Sequence, residues 1–152
     1  MQISDSLTVT ADRERVWAFL MDVERLAQCV PGVESVEEVG DSTYLGKLKV
    51  KVGPIMAAFN GKATITETDP STRLVALIEG DDKSSGSTVK ATFVSMLSPT
   101  DGDGTRIDYE MDVNLRGRLA QFGLTVVKGT AKKMTAEFGK CVQETLSEEA
   151  LA

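Results

Sequence analysis

The side chains able to do chemistry are few and scattered. The 152-residue chain has no histidine, which removes Ser-His and Cys-His nucleophile pairs, histidine metal sites and an imidazole base. Its two cysteines, Cys29 and Cys141, stand far apart and belong to no CxxC-type ligand pattern. Both read as reduced core thiols rather than as a metal site or a structural disulfide. Acidic pairs occur at Glu37-Glu38, Asp81-Asp82 and Glu148-Glu149. Adjacent residues of a strand point to opposite faces, so these pairs read as solvated surface and not as a carboxylate dyad. No inward carboxylate stands out. Tyr44, Ser95 and Tyr109 are the inward hydroxyl candidates on strand-like segments. Each suits hydrogen bonding to the polar head of a ligand, and each suits a satisfied core hydroxyl equally well. Binding is therefore the leading chemistry, with acid–base work by a pocket tyrosine as the alternative.

Composition narrows the classes further. The 17 Lys and Arg against 23 Asp and Glu give a net charge of -6, which leaves no basic excess to neutralise phosphates and argues against a nucleic-acid partner. The N-terminus, Met1-Gln2-Ile3-Ser4-Asp5-Ser6, lacks the basic start and apolar run of a signal peptide. No stretch approaches the roughly 20 apolar residues of a membrane span. The expected location is the cytoplasm, with at most a peripheral contact at the inner face of the membrane. No repeat or linker interrupts residues 1–152, which are expected to form one domain.

The elements that must position these groups follow from hydrophobic period. Residues 2–10 alternate as a strand. Val16, Phe19, Leu20, Val23 and Leu26 then take helical spacing, predicting two short helices broken near Asp22 and stopped at Pro31-Gly32. From 33 to 115 the period is two, predicting strands at about 33–39, 42–52, 55–68, 72–82, 86–98 and 104–115 with short turns and hence antiparallel pairing. A long amphipathic helix follows from Leu124 to Leu146, with Leu124, Ala131 and Phe138 and with Val127, Met134 and Cys141 each at sevenfold spacing.

Seven strands make a sheet roughly 30 Å wide, whereas one helix with its side chains is about 10 to 12 Å across. One helix cannot cover that face, so the sheet must curl around it, bending at glycines such as Gly46, Gly61 and Gly80. The predicted class is α+β, a seven-stranded curved antiparallel sheet around a long C-terminal helix with two short helices after strand 1. A curled sheet gripping a helix tends to leave a hollow. The expected lining is Phe59, Ala63 and Ile65, then Ala91, Phe93 and Leu97, then Tyr109, Met111 and Val113, faced by Val127, Met134 and Phe138. A solid core from the same residues is the competing expectation.

Four stretches carry a specific likeness: Val16 to Asp22, Cys29-Val30-Pro31-Gly32-Val33-Glu34, Gly53-Pro54-Ile55 with Phe59 to Ala63, and Gly117 to Gly123. In this order and spacing the chain resembles the carbon monoxide dehydrogenase G-subunit family, within the START and Bet v 1-like (SRPBCC) superfamily of helix-grip folds. The resemblance runs from Met1 to about Leu146. It implies a hydrophobic ligand cavity and no chemistry of its own. It further implies an accessory role for a molybdenum-containing carbon monoxide dehydrogenase-like hydroxylase, attachment to the membrane and a link to the respiratory quinone pool. No covalent cofactor is implied; a quinone or other isoprenoid or lipid is the expected bound molecule. Some relatives continue into a C-terminal segment thought to engage the membrane, whereas this sequence stops at Ala152, so the expected membrane contact is transient.

Gly117 to Gly123 joins the last strand to the long helix and sets Leu119 and Phe122 on a connection that reads as exposed, flanked by Arg116, Arg118 and Lys128. It is read as a cavity lid and a shallow membrane or partner contact. Trp17 reads as core packing. Met56, Met96, Met111 and Met134 suit adaptable walls. The Lys47, Lys49, Lys51 row suits a solvated sheet face or a stripe for an acidic partner. Three functions compete: a non-enzymatic binder of a hydrophobic small molecule serving a redox enzyme, a helix-grip cyclase or isomerase, and a structural adaptor docking a hydroxylase to a membrane.

Overall fold

The computed structural model describes residues 1–151, with side chains through residue 149. Among these residues seven strands form one sheet: β1 (Gln2–Val9), β2 (Val33–Gly40), β3 (Thr43–Val52), β4 (Ile55–Asp69), β5 (Arg73–Asp82), β6 (Ser87–Pro99) and β7 (Thr105–Arg116). Between β1 and β2 lie α1 (Arg13–Met21) and α2 (Val23–Ala27), and after β7 come a short 3-10 helix (Arg118–Phe122) and α3 (Gly123–Leu151). The sheet order is β1-β7-β6-β5-β4-β3-β2, and every neighbour pair is antiparallel. The expected architecture is therefore present, with strand ends within a residue or so of the periodicity reading.

The local causes are the expected ones. Alternation on β7 buries Thr105, Ile107, Tyr109 and Val113 and exposes Arg106, Glu110, Asp112 and Asn114. Asp12 caps α1 by accepting the Arg15 N–H at 2.9 Å. Curling comes from two devices. Register shifts break β2 after Val33 and after Glu38 and break β4 after Ile65. Gly46, Gly61 and Gly80 stand directly opposite one another on β3, β4 and β5, a side-chain-free line where the sheet bends at little cost.

The buried core is in three pieces. One fills the α1 end, where Val9, Val16, Phe19, Leu97, Ile107, Val142 and Leu146 meet, with Trp17 packed against them as expected. A second follows the β1–β7–β6 wall around Ile3, Ala91, Tyr109 and Val113. The third closes the opposite end with Val52, Ala57, Phe59 and Leu119.

Two expectations are corrected. Cys29 and Cys141 are joined in a disulfide, not free thiols. Cys29 follows α2 and Cys141 lies on α3, so their pairing is made by helix docking, which a separation of 112 residues conceals. The connection after β7 is also not an exposed loop. Leu119 is 1% exposed, because its N–H is donated to Ser87 Oγ at 3.1 Å and its side chain seals the third core piece. Gly117, at φ +89°, makes this seat possible: a Cβ there would collide with the Gly86 carbonyl oxygen.

Candidate functional site

The register sorts the concave face into rows. Ile65, Ala76, Phe93, Met111 and Ile3 stand opposite one another across β4, β5, β6, β7 and β1. The next row toward the 3-10 helix is Tyr44, Ala63, Ile78, Ala91 and Val113. Beyond it lies the glycine line, continued by Val89 and Leu115. On the α1 side of the Ile65 row come Leu74, Ser95, Tyr109 and Asp5.

The candidate residues fall on this surface in three groups. Phe93, Tyr109, Met111 and Val127 belong to the wall cluster. Phe59, Leu119 and Phe122 join Val127 in the end cluster. Phe138 packs in the α1-end cluster, apart from the others. Ala63, Ile65 and the α3 residue Met134 are half-buried and belong to no cluster. Leu48 and Tyr44 on β3 behave in the same way. The backbone of α3 comes close to β1 and, through its first turns, to β3, and hardly approaches the β4–β6 middle of the sheet. Apolar side chains on the concave face that remain reachable by water mark the space between the sheet and α3, here called the groove, as the candidate binding site.

Two clefts, of about 640 and 510 Å³, lie apart from most of the candidate residues, although Ala91 and Val113 contribute to the second. The first crosses the outer face of the sheet behind Gly61 and Gly80 and is rimmed by Lys62, Glu79, Asp81, Lys90 and Arg116. It is open, and among its charged rim residues Lys90 and Glu79 pair at 3.8 Å. Size alone does not make it the ligand site: the half-buried apolar surface is on the other face of the sheet.

Polar groups on the concave face are few. Tyr109 is buried and its ring stacks on Phe93 with centroids 5.7 Å apart. Its hydroxyl is 2.5 Å from Thr135 Oγ1 of α3, and burial, with a smaller push from Asp5, holds its pKa above the ordinary tyrosine value. Tyr44, near the α1–α2 link, is also shifted up, by burial first and then by Glu38, Asp22 and Glu24. Asp5 is an inward, half-buried carboxylate on β1, between Ile3 and Leu7. The sequence reading passed over it, although the alternation of Ile3, Leu7 and Val9 contains the signal. Thr135 was also missed, and only its position on the inner side of α3 could have pointed to it.

The end of the groove is closed by the 3-10 helix, which rests on two hairpin turns. Phe122 lies on the β3–β4 turn, where a Cβ at Gly53 (φ +59°) would be 3.2 Å from its ring. Leu119 lies on the β5–β6 turn through Ser87. Ser87 Oγ is 2.9 Å from Ser85 Oγ. Ser85 donates to buried Asp82 at 2.7 Å and Ser84 at 2.8 Å, which pulls the Asp82 pKa down. Around this end Met56 and Leu124 are 60% and 42% exposed. Residues 42–66 and 113–136, which include the segments that form this end, hold no Asp or Glu. They carry Lys47, Lys49, Lys51, Lys62, Arg116, Arg118, Lys128, Lys132 and Lys133, leaving 8 cations against 23 acids elsewhere. Among the described residues there is no group of three or more metal-ligating acids or cysteines.

A family model for the G subunit of carbon monoxide dehydrogenase (CoxG) matches residues 6–147. No curated protein sequence matches the chain. Among solved structures, a conserved protein from Geobacillus kaustophilus is 24% identical with a TM-score of 0.89, covering 97% of this chain and 96% of that one. A START superfamily protein from Mycobacterium smegmatis is 14% identical with a TM-score of 0.74, covering 97% of each chain. The Zhui aromatase/cyclase from Streptomyces sp. R1128 is 16% identical with a TM-score of 0.70, covering 99% and 95%. At these identities the solved structures establish a shared fold.

Proposed function

The chain belongs to the CoxG family of carbon monoxide dehydrogenase, and from that premise we propose that it is a non-enzymatic accessory protein that takes a quinone- or lipid-like molecule into the groove between α3 and the sheet. Its client is a molybdenum-containing carbon monoxide dehydrogenase-like hydroxylase, and its traffic is with the quinone pool of the membrane. The observation that carries this reading is the set of half-buried apolar residues, Leu48, Ala63, Ile65 and Met134, that lie outside the core clusters. Such a surface binds an apolar guest by removing its own and the guest's hydration.

The basic end supports a brief contact with an anionic bilayer. Arg118 and Lys128 would meet headgroups while Met56 and Leu124 enter the interface. No helix among the described residues is long and apolar enough to cross a membrane. A catalytic reading with Tyr109 as acid is weakened by the hydrogen bond that its hydroxyl makes to Thr135.

Solvent extraction of purified protein after incubation with a menaquinone, followed by mass spectrometry, tests the reading. Stoichiometric quinone is expected. Repeated absence would refute the binding role and leave the structural-adaptor reading. Turnover of a cyclisation substrate that is lost in Tyr109→Phe would replace it with the enzymatic one.

A further inference from the structure

We infer that Ser95 is the hydrogen-bond donor for a carbonyl oxygen at the head of the bound molecule, an assignment that rests on the groove being the ligand site. Ser95 is 4% exposed, and its hydroxyl has no hydrogen-bond partner among the described residues. The oxygen is nevertheless not among the fully sealed, unpartnered side-chain atoms of the described residues, so solvent can reach it. Ser95 lies between Leu74 and Tyr109 on the concave face, opposite in sense to exposed Met96. Its side chain therefore stands on the concave side of the sheet, where the proposed ligand site lies. A nearly buried hydroxyl that only solvent can partner is open to a ligand acceptor that takes that solvent's place.

The neighbouring hydroxyls fix the kind of atom. Thr135 donates its one proton to the Ala131 carbonyl at 2.9 Å. In the 2.5 Å contact with Thr135, Tyr109 is therefore the donor. Neither has a proton left for a guest. Ser95 is the free donor of this row, and a carbonyl, which brings lone pairs and no proton, is its complement. The adjoining row of Ile65, Ala76, Phe93 and Met111 is wholly apolar and lies one side-chain repeat away, roughly 7 Å. A molecule with its carbonyl at Ser95 would thus lay its apolar body along Phe93.

The test compares menadione, a naphthoquinone, with 2-methylnaphthalene, a hydrocarbon of similar shape, on wild type and Ser95→Ala. Wild type should prefer menadione, and Ser95→Ala should weaken menadione about 3- to 10-fold, the range for one neutral hydrogen bond, while leaving 2-methylnaphthalene unchanged. Ser95→Thr, which keeps the donor, should retain the preference, and matching melting temperatures exclude misfolding. Equal losses for both probes, or no loss for either, would overturn the role of Ser95. Wild type that binds the hydrocarbon without preferring the quinone overturns the inference and leaves the binding function standing. Wild type that binds neither probe overturns both.

Discussion

Removing the Cys29–Cys141 bond gives the sharpest quantitative test of how the chain is held together. The bridge ties the turn after α2 to α3 across 112 residues, a loop that contains six of the seven strands. Loop-closure entropy for that separation amounts to about 4.8 kcal/mol at room temperature. The Cα atoms are 5.3 Å apart, an ordinary spacing for bridged residues, so breaking the bond leaves the fold intact and acts chiefly on the unfolded chain. Some of the effect is offset by structure remaining in that chain, which sets the expected loss at about 3 to 5 kcal/mol. For a protein of this size each kcal/mol moves the melting point about 2 to 4 °C, so reduction or the Cys29→Ala/Cys141→Ala pair should lower it by about 6 to 20 °C. Circular-dichroism melts with and without a phosphine reductant measure this, and thiol titration of never-reduced, denatured protein counts the free groups. Coincident melts, or two titratable thiols before reduction, would refute the reasoning.

Three further outcomes follow from the groove's closed end. Phe122→Ala should cost only about 1 to 2 kcal/mol, because the ring is half-buried on Gly53, yet weaken menaquinone uptake or liposome binding; unchanged behaviour in both assays removes the 3-10 helix from the site. Gly117→Ala should destabilise by at least about 2 kcal/mol in urea melts, since its Cβ would meet the Gly86 carbonyl and its positive φ would be strained; a neutral result would mean the two turns are not in contact. The Asp82 pKa is depressed by Ser85 and then Ser84, so its contribution is present above the ordinary aspartate pKa of about 3.9 and disappears as pH falls through the lower folded value. The stability gap between wild type and Asp82→Asn should therefore be constant at neutral pH and shrink in acid, and a gap that widened in acid would contradict the assignment.

Strand positions were legible because alternation of side chains is a local property, as on β7, and because the turns at Gly40-Asp41 and Gly53-Pro54 carry their own signals. Which residues share a row was not. Rows depend on register, and the shift after Ile65 on β4 leaves no mark in residue type. The register sets Ala63, Ile65, Phe93, Tyr109 and Met111 on one face of the sheet, whereas Phe138 sits in the α1-end core. The 3-10 helix escaped notice because its seat on Ser87 and Gly86 is built by a distant hairpin. The disulfide escaped for the same reason. Asp5 is a different case, since its period with Ile3, Leu7 and Val9 is visible in the sequence.

The uneven placement of charge has a bearing on motion before any contact is made. With nine cations and no acids spread over the β3–β4 hairpin, the end of β7, the 3-10 helix and the first half of α3, and acids in excess elsewhere, the molecule carries a charge asymmetry whose positive pole lies on this side. A tumbling molecule nearing an anionic bilayer feels a torque that turns this end forward, within roughly one Debye length of the surface, about 8 Å at physiological salt. An overall anion can in this way arrive with its closed end facing the lipid, and added salt would slow that arrival more than it would speed departure.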